Sequence, residues 1–306
     1  MTGLAGGTTG GADQGPPGGT LYLVATPIGN LGDVTLRALE VLSGVPLVAC
    51  EDTRITSRLL ARHAIDVRLT SFHARSGPGR LAVLLAHLRS GADLALTTDA
   101  GTPGVSDPGE DLVRAWAGEG GRVVPIPGAS AVLAAVAASG IAGPRWTFEG
   151  FLPRSGRARR ERLARIAADE RGAVIYEGPG RLLSTLRELA AACGPERPAA
   201  VCRELTKLHE QIVRGTLDDL ERAVVDGAIP SRGEVALVVG AIAGGASVGA
   251  PASAAAHAVA RTADLDAALA EIEAMVARGS ARSAAVRDVA ARTGLPRRQL
   301  YRVPRS

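Results

Sequence analysis

Two consecutive α/β domains with a ligand cleft between them, followed by a small C-terminal helical domain, are what this sequence predicts. Three observations predict it. Strand-like and helix-like runs alternate over about 110 residues from Thr20, the signature of a mostly parallel sheet. A second series of the same kind begins near Trp146. From Asp264 onward a helical apolar period takes over and ends in an arginine-rich segment. The expected division is a disordered Gly/Thr/Pro tail over 1–19, α/β domains over 20–140 and 141–240, a small-residue linker over 241–262 and a basic helical domain over 263–306.

The first domain reads element by element. LYLVAT forms a strand that ends in Pro27-Ile28-Gly29-Asn30, and Asp33 is the expected N-cap of a helix over Val34 to Leu42. A strand over Val45 to Cys50 ends in Glu51-Asp52-Thr53-Arg54 and leads into a helix to about His63. A short strand near Arg68 to Phe72 precedes His73 and a helix over Gly79 to Arg89. The strand LALTT then runs into Asp99-Ala100-Gly101-Thr102-Pro103-Gly104-Val105-Ser106, with Asp107 as expected N-cap, Pro108 as first helical residue and Glu110 as capping-box partner. Arg122 to Ile126 is the last strand, and Pro127-Gly128-Ala129-Ser130 opens an alanine-rich helix. Four strand ends therefore carry Gly, Pro or acidic residues. In a parallel sheet such ends share one rim, where small ligands bind. Gly101 and Gly104 would let a ligand approach the backbone.

In the second domain, strands are expected over Phe148 to Leu152, Ala173 to Tyr176, Ala199 to Arg203, Gln211 to Thr216 and Val235 to Val239. Helices are expected over Arg157 to Ala168, Leu182 to Ala192 and Leu217 to Val225. In the C-terminal region Leu265, Leu269, Ile272, Met275 and Val276 fall on one helical stripe, Ser280 caps a second helix over Ala281 to Arg292, Gly294 breaks it, and Pro296 starts a third. Helix, glycine turn and basic helix resemble a helix-turn-helix.

Composition narrows the function classes. With 46% hydrophobic and 3% aromatic residues the chain can bury a core, and no apolar run is long enough to read as a membrane span. The start of the sequence lacks a basic-then-apolar secretory pattern. Three widely spaced cysteines without C-x-x-C argue against a disulfide framework or metal site and for a reducing, cytoplasmic setting. Arg154 to Arg165 carries a local charge of +5 and Arg278 to Ser306 one of +7, although the whole chain is only +4. Basic charge concentrated in two segments of an otherwise acidic chain suits a phosphate backbone. The first strand is not followed by G-x-G-x-x-G, which argues against a dinucleotide enzyme.

TPIGNLGDVTLRAL, CEDTR, TDAGTPGVSDPG, PIPGASA, FEGFLPR, RELTK and the Gly-Glu before the last strand occur in that order. As an ordered set they resemble the tetrapyrrole-methylase superfamily, specifically its ribosomal branch of 16S rRNA (cytidine 2′-O)-methyltransferases, over about Thr20 to Gly240. The resemblance implies S-adenosylmethionine as methyl donor in the cleft between the two α/β domains. It assigns that site to Pro27, Ala100, Gly101, Thr102, Val105, Ser130, Ala131, Glu177 and Leu205, and Asp99 is added because it leads the loop. It implies transfer of the sulfonium methyl to a ribose 2′-hydroxyl of 16S rRNA, within the small ribosomal subunit, without a metal, by a homodimer. Such a displacement depends on holding the oxygen in line with the methyl group, and a general base would help. Glu51, Asp52, Glu204 and Lys207 are rim candidates; Asp52 or Glu204 is the expected base, the alternative being a salt bridge to Arg54 or Arg203. RNA is expected on Arg154, Arg157, Arg159, Arg160, Arg282, Arg287, Arg297 and Arg298.

Two stretches depart from the family pattern. Gly178 and Gly180 stand in Tyr176-Glu177-Gly178-Pro179-Gly180-Arg181 where the family commonly reads YESPHR, and Ala74 and Ser76 follow His73 where a second His and an Asn are common. No catalytic role is therefore assigned to His73. C-methylation of a tetrapyrrole is the rival activity for this fold, and a passive RNA-binding module is the rival outside enzymes. The two arginine-rich segments disfavour the first, and loops built for close backbone approach disfavour the second.

Overall fold

The structure is a computed structural model and describes residues 18–106, 109–242 and 268–293. The chain divides into two compact units, Met1–Ile242 and Ala243–Ser306.

The first unit holds two five-stranded sheets. One contains β1 (Leu21–Val24), β2 (Val48–Cys50), β3 (Leu69–Ser71), β4 (Leu94–Thr97) and β5 (Val123–Ile126), in the order β3-β2-β4-β1-β5 and all parallel. Its intervening helices are α1 (Leu36–Gly44), α2 (Thr53–Arg62), α3 (Pro78–Arg89) and α4 (Glu110–Gly118). β1 and β4 lie side by side, yet their connections leave in opposite directions, to β2 and to β5. Their carboxyl ends are joined by an isolated bridge in which Thr26 and Gly101 exchange backbone hydrogen bonds of 2.9 and 3.0 Å. The four Gly/Pro/acidic strand ends do share one rim: Asp99 accepts the Asp52 backbone N–H at 2.9 Å, and the Thr102 hydroxyl donates to the Ala129 carbonyl at 3.2 Å.

Two helix starts differ from expectation. Asn30 captures the Gly32 N–H and winds Leu31–Asp33 into a short 3-10 turn, so α1 begins later and Thr35, not Asp33, caps it by accepting from the Ala38 N–H. α4 starts at Glu110 behind Gly109, which has φ +133° and makes no side-chain cap. A Cβ on Gly109 would lie 2.6 Å from Leu96, so a glycine is needed where the turn crosses the sheet. The expected cap at Asp107 and start at Pro108 lie outside the described residues.

The second sheet contains β6 (Trp146–Phe151), β7 (Gly172–Glu177), β8 (Pro198–Arg203), β9 (Gln211–Thr216) and β10 (Val235–Val239), in the order β6-β7-β10-β8-β9. It is mixed: β6 and β7 are parallel, and every other pair is antiparallel. Helices α6 (Gly156–Ala168), α7 (Leu182–Cys193) and α8 (Leu217–Val225) pack on one face, burying Leu163, Ile166, Leu186, Leu189 and Leu220. A full capping box at Thr216 and Asp219 starts α8.

The opposite face is covered by α5 (Ala131–Ser139), the alanine-rich helix that closes the first α/β series. Val132 and Ala135 pack on Val174, Ala200, Cys202, Ala236 and Val238. Small side chains on both surfaces let helix and sheet approach closely. Arg214 of β9 donates to the Ala138 carbonyl and, at 3.0 Å, to the Ser139 carbonyl, satisfying the helix end. Thus α5 ties the two sheets together.

In the second unit, helical residues 268–277 and the helix Arg282–Thr293 bury Ala268, Ile272, Ala285, Val286 and Val289 against each other. Met275 and Val276 pack at the edge, as their stripe predicts. Residues 1–17 of the expected tail, most of the linker, Leu265, Gly294, Pro296 and the third helix lie outside the described residues, whereas Gly19, placed in the tail from sequence, is buried and donates to the Leu88 carbonyl at 2.7 Å.

Candidate functional site

A cleft of about 280 Å³ opens between the carboxyl rim of the parallel sheet and the mixed sheet. From the first side come Ile28, Ala100, Gly101, Thr102, Val105, Ser106, Ser130 and Ala131; from the second come Phe151, Tyr176, Glu177, Gly178, Cys202, Leu205 and Glu234 to Ala236. Eight expected cofactor residues are therefore brought together: Ala100, Gly101, Thr102, Val105, Ser130, Ala131, Glu177 and Leu205.

The other two sit beside it. Pro27 is buried and presents its neighbour Ile28 to the cleft. Asp99 turns toward β2 and accepts the Asp52 N–H, so it links two strand ends instead of lining the cavity. On the mixed-sheet side, sequence reasoning found Glu177 and Leu205 but missed the row of side chains beside them. Tyr176, Ala236 and Cys202 are direct register partners on β7, β10 and β8, so they form one row across three strands. Nothing local marks that row, because it exists only once the strands pair.

The loop after β4 is shaped by backbone. Gly101 has φ +92° while it makes the bridge to Thr26. Its missing Cβ would sit 3.6 Å from Ile28, on the cleft. Beyond it, Gly104 and Ser106 also have positive φ, at +82° and +66°. The result is a wall of backbone and small side chains.

Glu177 is the one fully buried carboxylate among the residues lining the cleft, with its side chain 0% exposed. Its oxygens are fully used. Oε1 takes the Gly178 N–H at 2.8 Å and pairs with Arg181 at 2.5 Å; Oε2 accepts the Thr185 hydroxyl at 2.6 Å. Thr185 in turn accepts from Arg159 at 2.8 Å, and Arg159 pairs with Glu188 at 2.5 Å and donates to the Pro153 carbonyl at 3.0 Å.

This network corrects one expectation. Arg159 is only 5% exposed and belongs to the support of Glu177, so it is not part of an RNA-facing surface. α6 is amphipathic, and position 159 shares its inner face with Leu163 and Ile166. Arg154, Arg157 and Arg160 are exposed, with Arg157 paired to Glu161. In the second unit Arg287 is exposed and Arg282 is paired with Glu273 at 2.8 Å. Arg297 and Arg298 lie outside the described residues.

The rim carboxylates fall into two groups. Asp52 caps α2 and is chelated by Arg54, whose hydrogen bonds hold its pKa down to about 2. Glu204 accepts the Glu234 N–H at 2.8 Å and pairs with Lys207 at 3.0 Å, and it too is held below the ordinary carboxylate range, first by that N–H and then by Lys207. Lys207 also bridges to Glu234, and these bonds outweigh its partial burial, so its pKa rises. Gly233, at φ +90°, permits the packing, since a Cβ there would lie 2.6 Å from the Glu204 side chain. Neither Asp52 nor Glu204 lines the cleft. A base works best with a pKa near the operating pH, and both groups are displaced the other way. Asp52→Asn and Glu204→Gln should each keep methyl transfer within about tenfold of wild type under single-turnover conditions, whereas loss of a general base costs roughly 10²–10⁴.

Glu51 and Asp99 behave oppositely. Partial burial pushes both upward, and for Glu51 the neighbouring Asp99 charge adds to it. A carboxyl raised in the folded state weakens the fold above its unfolded pKa, and the penalty vanishes once both states are protonated. Glu51→Gln should therefore raise Tm at pH 7 to 8 and leave it unchanged near pH 3, as a thermal melt series would read.

At the two family departures, the His73 ring faces the Arg75 N–H and the Ser76 hydroxyl, at 3.2 and 3.4 Å. Gly180 has open space where a Cβ would stand.

A sequence model of the tetrapyrrole (corrin/porphyrin) methylases matches residues 20–221. Ribosomal RNA small subunit methyltransferase I of Synechocystis sp. is 45% identical over 285 residues, spanning 93% of this chain and 97% of its own. The protein of the same name from Micromonospora olivasterospora is 43% identical over 286 residues, covering 92% of this chain and 85% of its own. Among solved structures, the cobalamin biosynthetic enzyme cobalt precorrin-4 methyltransferase superposes with a TM-score of 0.56 at 20% identity, over 72% of this chain and 94% of that one. Uroporphyrin-III C-methyltransferase from Thermus thermophilus, complexed with S-adenosylhomocysteine, gives 0.51 at 22% identity, over 72% and 97%. The two latter likenesses establish the fold. With the sequence matches, they mean that this chain belongs to the tetrapyrrole methylase family, among relatives named ribosomal RNA small subunit methyltransferase I.

Proposed function

We propose that this protein is an S-adenosylmethionine-dependent methyltransferase that modifies a cytidine 2′-hydroxyl in the decoding centre of 16S rRNA, with the small ribosomal subunit as substrate. The observation that carries the reading is the 45% identity to a named small-subunit rRNA methyltransferase along 97% of that relative's length. The cleft fits the cofactor. Gly101 and Ala100 leave a backbone wall, Ala131, Leu205 and Cys202 give an apolar floor, and Glu177 and Glu234 stand at the wall with their charges met by Arg181 and Lys207. Burial raises the Cys202 thiol to about 11, so it stays a neutral, small lining group. When bound, the cofactor supplies an activated methyl group. The chain's own part is to hold the donor against the loop after β4, to keep Glu177 oriented through Thr185 and Arg181, and to present the hydroxyl in line. That is catalysis by positioning.

The exposed Arg154, Arg157, Arg160 and Arg287 supply positive charge for phosphates, and the reading gives Arg297 and Arg298 the same task. All three cysteines are free thiols, in keeping with a cytoplasmic setting. No described helix is long and apolar enough to cross a membrane. A homodimer belongs to the same reading, and sedimentation of the purified chain tests it.

The deciding experiment offers radiolabelled S-adenosylmethionine with small ribosomal subunits in one reaction and a tetrapyrrole precursor in another. Label at one alkali-resistant cytidine supports the reading. Label in the macrocycle alone overturns it in favour of C-methylation.

A further inference from the structure

We propose that Phe151 is a stacking platform for an unpaired base of the RNA substrate, set at the mouth of the cofactor cleft. The inference rests on the RNA reading above and deepens it.

Aromatic residues make up 3% of this chain, yet three of them meet at this one place. The Tyr176 ring is contacted edge-on by Phe148, with centroids 5.0 Å apart, and at a tilt by Phe151 at 5.5 Å. Phe148 is half-buried, while Phe151 lines the cleft and remains 60% exposed. One side of the Phe151 ring is backed by Tyr176 while most of its surface stays open, which leaves an apolar plane available to a flat ligand.

The geometry is built rather than incidental. β6 and β7 slip register between Phe148 and Gly150, so Phe148 stands opposite Val174 but Phe151 stands opposite Tyr176. In an unbroken register Gly150 would stand there, and Phe151 would fall opposite Glu177, on the face covered by α6, α7 and α8. A bulge of this kind re-aims a side chain. Gly150 makes it possible at φ +61°, with the Ser106 hydroxyl 3.4 Å from where its Cβ would be. Arg162 of α6 clamps the bulge by pairing with the Glu149 carboxylate at 2.8 Å.

The charge that follows the ring in sequence indicates the ligand. Within a few residues the chain exposes Arg154, Arg157 and Arg160 on and before α6. An open aromatic face beside a row of cations is how single-stranded RNA is gripped, the ring stacking a base and the cations tracking phosphates. An unpaired base freed from its neighbours needs a flat surface to stack on while its ribose is presented to the cleft.

The test uses the full chain, saturated with S-adenosylhomocysteine, titrated into a short single-stranded RNA carrying the fluorescent base pyrrolocytidine. Stacking quenches that base. Wild type and F151W should quench. F151L keeps an apolar side chain but lacks a flat face, so it should lose the quenching and raise KM for RNA on the order of 10- to 100-fold. Its Kd for S-adenosylmethionine should stay within about twofold, which also verifies that the variant is folded. Unchanged quenching by F151L, or no quenching by wild type, would overturn the proposal. So would a loss of cofactor affinity in F151L equal to its loss of activity, since the ring would then belong to the cofactor's adenine. If quenching holds but wild type methylates no small-subunit rRNA, the stacking platform stands and the proposed function falls.

Discussion

Gly101→Val should abolish measurable cofactor binding while leaving the protein folded. Position 101 combines a backbone bridge to Thr26 with φ +92°, a conformation that β-branched residues hardly adopt. Forcing such a residue there costs about 1–3 kcal/mol, or loses the bridge. Either way the wall of the cleft moves, because the new side chain would enter beside Ile28 on the cavity itself. We expect the Kd for S-adenosylmethionine to rise at least about 100-fold and methyl transfer to fall to background, as roughly 3 kcal/mol of lost binding implies. Tm should drop only a few degrees, because the two main cores do not touch this loop. Gly180→Ala is the control. It sits in open space without a positive φ, and it should retain wild-type binding. Calorimetric titration of both variants settles the matter: tight binding by Gly101→Val would show that the loop conformation is not what shapes the site.

Arg159→Met should be the most destabilising change in the arginine-rich stretch, although from sequence it looks like any other member of that run. Its guanidinium is buried and holds Glu188, the Thr185 hydroxyl and the Pro153 carbonyl. Breaking a buried pair from one side costs about 3–5 kcal/mol. Glu188 is 44% exposed and can be rehydrated, so about 2–3 kcal/mol is expected here, a fall in Tm of roughly 5–10 °C. Thr185 also loses the partner that fixes its hydroxyl toward Glu177, so cofactor affinity should weaken several-fold. Arg160→Ala, on the solvent face of the same helix, should leave Tm unchanged and reduce the slope of log affinity for RNA against log salt by about one. If Arg159→Met melted like wild type and only RNA binding suffered, the buried network would have no structural role.

These two residues mark how far sequence reasoning reaches. The parallel sheet, its strand ends and the backbone-rich loop after β4 were legible because each follows from local chemistry: apolar runs and glycines where φ turns positive; the cap expected at Asp33 was not, since Asn30 winds a 3-10 turn there and Thr35 takes the role. For the same reason eight of ten expected cofactor residues fall on the cleft. Pro27 and Asp99 miss it by one side chain, since a strand end specifies a position but not the direction in which a side chain points. Asp52 and Glu204 looked free to act as bases, yet each is engaged by Arg54 or by Lys207 and the Glu234 backbone.

The sequence alone determined the fold class, the order of elements, the loop that shapes the cleft and the family, because these depend on patterns within a few tens of residues. Tertiary structure alone decided three things. It made the second sheet mixed, and so formed the row Tyr176, Ala236 and Cys202 from strands far apart in the chain. It buried one arginine of a charged run while leaving its neighbours in water. Through a single bulge it turned Phe151 toward the cleft. Each depends on which surfaces meet after the strands pair, and strand pairing is a contact between distant segments that no local pattern encodes.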